Sequence, residues 1–280
     1  MNILSTLRKS RTSVAVASAA LLALTLTACG DDSGGGGEAS AVPEGITLVK
    51  SDKLTVCTHL PYKPFQFKEG GKVVGFDVDL LDLLAKQFKV ELDVVDIEWA
   101  QITSGAAFKA KKCDVGMGAM TITPERQQAI GISTPYMDAT QVLLVKADSG
   151  IKSLADLKGK KIGVQADTTG KTYAEKNAAA NGYTVITFPD LSIQANNVKS
   201  GRVDAAINDN GVLYDFVKAN PETAVTAEFD TGEQYGFALD KTDPSSVKLL
   251  AELDKVLTKA KSEGTYNEIF KKWFGVEPKK

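Results

Sequence analysis

Strand-like and helix-like stretches alternate along this chain, break, and then alternate again. "KLTVCTHL" has the apolar, β-branched run of a strand, and "FDVDLLDLLAKQF" carries its apolar residues at helical spacing. "VELDVVDIEW" is a second strand, "SGAAFKAKK" a helical link, "CDVGMGAM" a third strand and "QVLLVKA" a fourth. The rhythm then restarts. "SLADL" opens with Ser153 as a capping-box residue, "KKIGVQ" is a strand, and "TTGKTYAEKNAAAN" is a helix with Gly182 just past its end. "YTVITFP", "LSIQANNVKSG", "VDAAIND" and "NGVLYDFVKANP" continue strand, helix, strand, helix. "YGFALDK", a long helix over "PSSVKLLAELDKVLTKAKSEG" and the short amphipathic "TYNEIFKKWFG" close the chain. Strands alternating with helices give parallel sheets covered by helices, and two rounds of the pattern give two α/β lobes. In open α/β sheets ligands gather at the carboxyl ends of the strands, so two such sheets facing each other make a cleft.

The N-terminus has its own signature. Arg8, Lys9 and Arg11 precede the apolar run "SVAVASAALLALTLT", which has the length of a secretory leader and is short for a membrane span. The run stops at "LTAC", similar to a bacterial lipobox, in which cleavage leaves a lipid-modified Cys29 as the first residue. "GDDSGGGGEAS" then reads as a flexible tether. The expected division is a leader over residues 1–28 and a tether over 29–45. Residues 1–28 hold three positive and no negative charges, so their removal takes the formal net charge from -2 to -5. A mildly acidic chain without a basic block is no nucleic-acid binder. Cys57 and Cys113 lie in or beside apolar strands, where a disulfide and two buried thiols are equally open readings. With His59 the one histidine and no Cys-x-x-Cys, there is no metal spacing, and no phosphate loop or nucleophile elbow is present.

The stretch "GAMTITPERQQAI", residues 118–130, turns a strand end into a helix start. Thr123 suits an N-cap, Pro124 the first helical position and Glu125 the positive end of the helix dipole. Arg126 stands in the same first turn, where a cation is electrostatically disfavoured. A surface arginine and a functional arginine both fit that position.

Six stretches in order carry a resemblance: "PYKPFQF", "GFDVDLLDLLAK", "TITPERQQAIGISTPY", "SLADLKGKKIGVQADTTG", "GRVDAAINDN" and "AKSEGTYNEIFKKWFG". Over residues 54–275 the chain resembles the family 3 bacterial extracellular solute-binding proteins, the amino-acid receptors of ABC importers. The resemblance implies an α/β, two-lobed periplasmic-binding-protein-like fold of type II, with two sheets joined by two crossing hinge strands at about 142–148 and 228–239. Lobe 1 would span 46–143 and 233–280, and lobe 2 144–232. It implies no enzyme activity, no cofactor and no metal. The implied partners are a small-molecule amino acid and membrane permease subunits. The protein would be a monomer, held by the lipid on Cys29 at the extracytoplasmic face of the cell membrane.

The resemblance also assigns residues. Arg126 would clamp the ligand carboxylate with two parallel hydrogen bonds, a geometry lysine cannot supply. Thr121 and the backbone N–H groups of Gly118 and Ala119 would complete that wall. Thr168 and Thr169, at a helix N-terminus, would cap the same carboxylate from the second lobe. Asp167 replaces a common glycine there and brings an unfavourable charge unless it turns outward or meets a cation. Asp209 would take the ligand ammonium, although its place also suits a helix N-cap. Tyr62, Phe65 and Trp99 would select the side chain, with a core role the alternative for Phe65 and Trp99. His59 stands where members that take cationic amino acids often carry an acid. The expected ligand is therefore a polar amino acid, uncharged or weakly cationic. Two other functions stand on the same scaffold: a cyclohexadienyl dehydratase-like enzyme, which needs a general acid in the cleft, and a transporter-independent sensor.

Overall fold

The computed structural model describes residues 41–278. The expected leader, Cys29 and the tether up to residue 40 lie outside the described residues. The chain opens with β1 (Lys53–Thr58), then a small hairpin of β2 (Phe67–Glu69) and β3 (Lys72–Val74). Helix α1 (Phe76–Phe88) follows, burying Phe76, Leu80, Leu81, Leu84 and Phe88 on one face. Burial of each such side chain stabilises by about 1.5–3 kcal/mol. Gly75 enters that helix at φ 146°, and a Cβ there would lie 2.0 Å from the Phe65 carbonyl oxygen, so only glycine fits. Next come β4 (Glu91–Asp96), the short helices α2 (Trp99–Thr103) and α3 (Ala106–Lys109), β5 (Val115–Thr121), α4 (Pro124–Ala129) and β6 (Gly131–Ile132).

The long β7 (Met137–Lys146) leads to a 3-10 turn at Leu154–Leu157, where Ser153 and Asp156 form the expected capping box. Then follow β8 (Lys161–Gln165), α5 (Thr169–Asn181), β9 (Thr184–Phe188), α6 (Leu191–Lys199), β10 (Ala205–Asp209) and α7 (Asn210–Ala219). Gly182 ends α5 in the left-handed conformation, as its sequence position requires. The chain finishes with β11 (Thr223–Leu239), α8 (Pro244–Glu263) and α9 (Thr265–Phe274).

The strands form a ladder in the order β4-β1-β5-β11-β7-β10-β8-β9, with β6 on β11. Each end of the ladder is a parallel trio, β4-β1-β5 and β10-β8-β9. The antiparallel pair β7 and β11 lies between them and joins both. The two expected sheets are therefore hydrogen-bonded into one, because the two long strands pair with each other in both halves. Their pairing shifts register between Phe229 and Glu233, opposite Gln141 and Ala139. The passage between halves thus overlaps the expected second crossing and lies just ahead of the expected first one. α8 and α9 return to pack on α1, β6 and β11 of the first half.

The structure pairs Cys57 with Cys113, their Cα atoms 5.6 Å apart, within a core that includes Ile102, Phe108, Met120 and Ile130. Among the described residues no helix is long and apolar enough to cross a membrane, and no cluster of three metal-ligating side chains occurs.

Candidate ligand-binding site

Four strand ends converge on one recess. His59 follows β1, Thr121 ends β5, Gln165 ends β8 and Asp209 ends β10, and all four line it. The strand-end rule for open α/β sheets therefore applies to both halves at once. Tyr62, Gln66, Trp99, Gly118, Ala119, Arg126, Thr168 and Thr169 complete the lining.

Arg126 is held by its local sequence. The Thr123 side chain caps α4 by accepting from the Arg126 backbone N–H at 3.1 Å, with Pro124 as the next residue. The guanidinium then reaches across the recess. Its Nη1 donates to the Thr121 carbonyl (2.9 Å), its Nη2 to the Asp167 carbonyl (3.0 Å), and it lies over the Trp99 ring at 5.6 Å. Trp99 Nε1 donates to the same Asp167 carbonyl at 3.1 Å. A guanidinium has about five N–H donors, so these bonds leave several for a ligand anion. Burial lowers the Arg126 pKa, while Asp209 and Glu233 raise it. Asp167 is exposed and adopts φ 57°, the conformation for which glycine is favoured. It meets the cation through its carbonyl.

Asp209 is buried, at 5 % exposure, and its side chain makes no helix-capping bond. It accepts instead from Gln141 Nε2 (2.6 Å), the Tyr235 hydroxyl (2.7 Å) and the Tyr62 hydroxyl (3.0 Å). Burial and the nearby Glu233 push its pKa up to about 6, against the pull of those three donors. Glu233, on β11, accepts from Gln141 Nε2 at 3.1 Å, which links the two acids through one amide. Gly170 lets α5 approach this amide, since a Cβ there would lie 2.7 Å from Gln141 Oε1.

Several expected contacts are rearranged. The N–H groups of Gly118 and Ala119 do not face a ligand. Both donate to Asp77 Oδ2, at 3.1 and 2.8 Å, because this carboxylate is fully buried at the start of α1 and needs donors. Burial pushes the Asp77 carboxyl up to about 7, and those N–H groups and the Tyr136 hydroxyl oppose the shift. The Thr168 hydroxyl is committed to its own helix: it accepts from the Lys171 N–H at 3.2 Å and donates to the Gln165 carbonyl at 2.9 Å. The N–H groups of Thr169 and Gly170 are, by helix geometry, without an intrahelical acceptor. Phe65 is a core residue. It is fully buried, packs edge-on against Phe76, Tyr235 and Phe274, and does not line the recess. Trp99 and Tyr62 do line it.

At the other end, His59 Nδ1 lies 3.0 Å from the Ile97 carbonyl, which can only accept. In the neutral ring Nε2 is then a lone-pair acceptor, and it has no protein partner. Gln66 Oε1 is a second buried acceptor without a partner.

Asp77, Gln66, Gln141 and Glu233 escaped the sequence reading. Asp77 was legible only as the acidic first turn of an amphipathic helix. Gln141 and Glu233 stood in or beside the expected crossings, a placement that signals a site between lobes but names no contact.

The model of the bacterial extracellular solute-binding proteins, family 3, matches residues 54–276. The arginine-binding extracellular protein ArtP of Bacillus subtilis is 32% identical over 91% of this chain and 95% of its own length. A solved ancestral arginine-binding protein bound to arginine is 40% identical, covering 80% of this chain and 98% of its own, with a TM-score of 0.73. The arginine-, lysine-, histidine-binding protein ArtJ of Geobacillus stearothermophilus is 39% identical, covering 81% and 97%, with a TM-score of 0.72.

Proposed function

Since this chain belongs to the family 3 bacterial extracellular solute-binding proteins, we propose that it captures an α-amino acid between its two halves and delivers it to the permease of an ABC importer. The observation that carries this reading is that Arg126, from α4 of the first half, and Asp209, at the end of β10 in the second, line one recess. An amino acid presents a carboxylate and an ammonium at fixed separation, and these two side chains match that pair in charge. Lobe 1 is residues 46–140 with 233–280 and lobe 2 is 141–232, the first boundary standing slightly ahead of the expected 143 because Gln141 already pairs with β10, and β7 and β11 form the hinge. A ligand held by Arg126 in one lobe and Asp209 in the other stabilises the closed form over the open one. The lipid on Cys29 holds the monomeric receptor at the outer face of the membrane.

The charge balance favours a cationic amino acid. Asp209 and Glu233 oppose Arg126 alone, so a zwitterion leaves one negative charge unanswered. The lone acceptors His59 Nε2 and Gln66 Oε1 suit a side chain with several N–H donors, and Trp99 offers it a flat aromatic face. These three features move the ligand from the uncharged or weakly cationic class expected on His59 alone. The arginine-binding relatives support that direction. The reading assigns no catalysis, and incubation with prephenate or arogenate should yield no aromatic product.

Calorimetric titration of the purified protein, unfolded and refolded to strip carried ligand, tests the proposal. Arginine, lysine and histidine should bind more tightly than glutamine, and glutamate should not bind. Tightest binding of an acidic amino acid would refute the charge argument, and no binding of any amino acid would refute the receptor reading.

A further inference from the structure

One carboxylate oxygen at the hinge gathers donors from three segments. Glu233 Oε2 accepts from the Thr121 hydroxyl at 3.0 Å, the Thr169 hydroxyl at 3.0 Å and Gln141 Nε2 at 3.1 Å. Thr121 ends β5 in the first half, Thr169 opens α5 in the second, and Gln141 and Glu233 stand on β7 and β11 between them.

The chemistry of these groups fixes the direction of each bond to Glu233. A carboxylate ion has no hydrogen to give, so its partners must donate. A threonine hydroxyl has a single hydrogen. The two hydroxyls also lie 3.3 Å apart, so one alternative has the first donating to the second and the second to Glu233. In both arrangements both hydrogens are spent within the cluster. What the two threonines offer the recess is lone pairs, and Gln141 Nε2, 3.3 Å from the Thr169 hydroxyl oxygen, takes up part of that residue's share. Gln141 Oε1, buried and without a partner, and the Asp209 carboxylate are acceptors beside them.

We infer that Glu233 is a positioning residue that holds the Thr121 and Thr169 hydroxyls as acceptors. The hinge wall of the recess therefore binds hydrogen-bond donors and rejects ligands lacking an ammonium there. The inference rests on the amino-acid receptor reading. It reassigns the Thr121 and Thr169 hydroxyls from the ligand's carboxylate to its donor side. The carboxylate is left to Arg126 and the first N–H groups of α5.

The test compares L-arginine with 5-guanidinopentanoate, the same molecule without its α-amino group. Calorimetry gives the ratio of the two affinities in the wild type, Glu233→Met and Glu233→Gln. Methionine has similar length and no strong acceptor, so it frees both hydroxyl hydrogens. The ratio in favour of arginine should fall about tenfold, the scale of one hydrogen bond to a charged group. The amide oxygen of glutamine still accepts without charge, so its ratio should fall less, in the same direction. A merely structural role would weaken both ligands alike and leave the ratio unchanged. An unchanged ratio in the methionine variant overturns the inference, as does an unchanged ratio in the glutamine variant if the methionine variant does not fold. If the wild type itself binds no amino acid, the receptor reading fails and takes this inference with it.

Discussion

Arg126 and Asp209 show what single residues reveal in a sequence and what they hide. The cap at Thr123, the proline after it and the cation in the first turn are all local, and the structure reproduces the cap. Asp209 was open between a helix cap and a ligand group. Its side chain leaves the helix uncapped and turns to Tyr62, Tyr235 and Gln141. Those partners come from β7, β11 and the loop after β1, so no local pattern could announce them. The same holds for Asp77, whose carboxylate meets Gly118 and Ala119 some forty residues on. Burial pushes Asp209 to about 6, and this gives a prediction with two opposite signs. An ammonium ligand needs the carboxylate, so affinity should fall about tenfold per unit as pH drops below about 6. The contribution of Asp209 to the stability of the ligand-free protein moves the other way, and the buried Asp77 and Asp114, raised to about 7 and about 6, act with the same sign. The folded pKa lies above the ordinary value of 3.8, so Asp209 contributes stability as pH falls from about 6 towards 3.8. Calorimetry between pH 7.5 and 4.5, with melting curves of the free protein, checks both. Constant affinity across that range would remove Asp209 from the ammonium site.

Among the elements, the strands and helices that bury an apolar face are plain in the sequence, α4, which buries no residue, is legible from its cap and proline, and the shortest strands leave no pattern. The hairpin of β2 and β3 has only three residues in each strand. Residues 223–227 of β11 are buried or half-buried throughout, and 228–234 alternate exposed and half-buried and contain Gly232, so only its buried end, "YGFAL", reads as a strand. It is extended because β7 pairs with it along both halves, a tertiary cause invisible in its own residues. The cysteines were undecided for a similar reason: apolar surroundings suit a thiol and a disulfide alike. The structure settles this by placing β1 beside β5, which brings Cys57 next to Cys113 across 56 residues. A link closing a loop of that size contributes about 2–5 kcal/mol, so the double variant Cys57→Ala with Cys113→Ala should lose about that much in urea unfolding. A loss below about 1 kcal/mol would mean the bridge does not hold β1 and β5 together in solution.

At the scale of the molecule, the repeated α/β rhythm was enough to foresee two lobes and a cleft at their strand ends. The chemistry of the cleft was legible only in part, because it is built where elements from both halves meet. Arg126 reaches the Asp167 carbonyl, and Glu233 collects hydroxyls from both sides of the hinge. On the proposed reading, closure and recognition are one event, in which a charged ligand completes a set of bonds that spans the lobes. Titration of Arg126→Ala with L-arginine, beside its melting curve without ligand, tests that claim most directly. Loss of two hydrogen bonds to a charged group should weaken binding by at least about a hundredfold. Arg126 is half-buried and lines the recess rather than the apolar core, so the melting temperature of the free variant should stay within a few degrees of the wild type. Near-native affinity in that variant would contradict the account, because the ligand's carboxylate would then be held elsewhere.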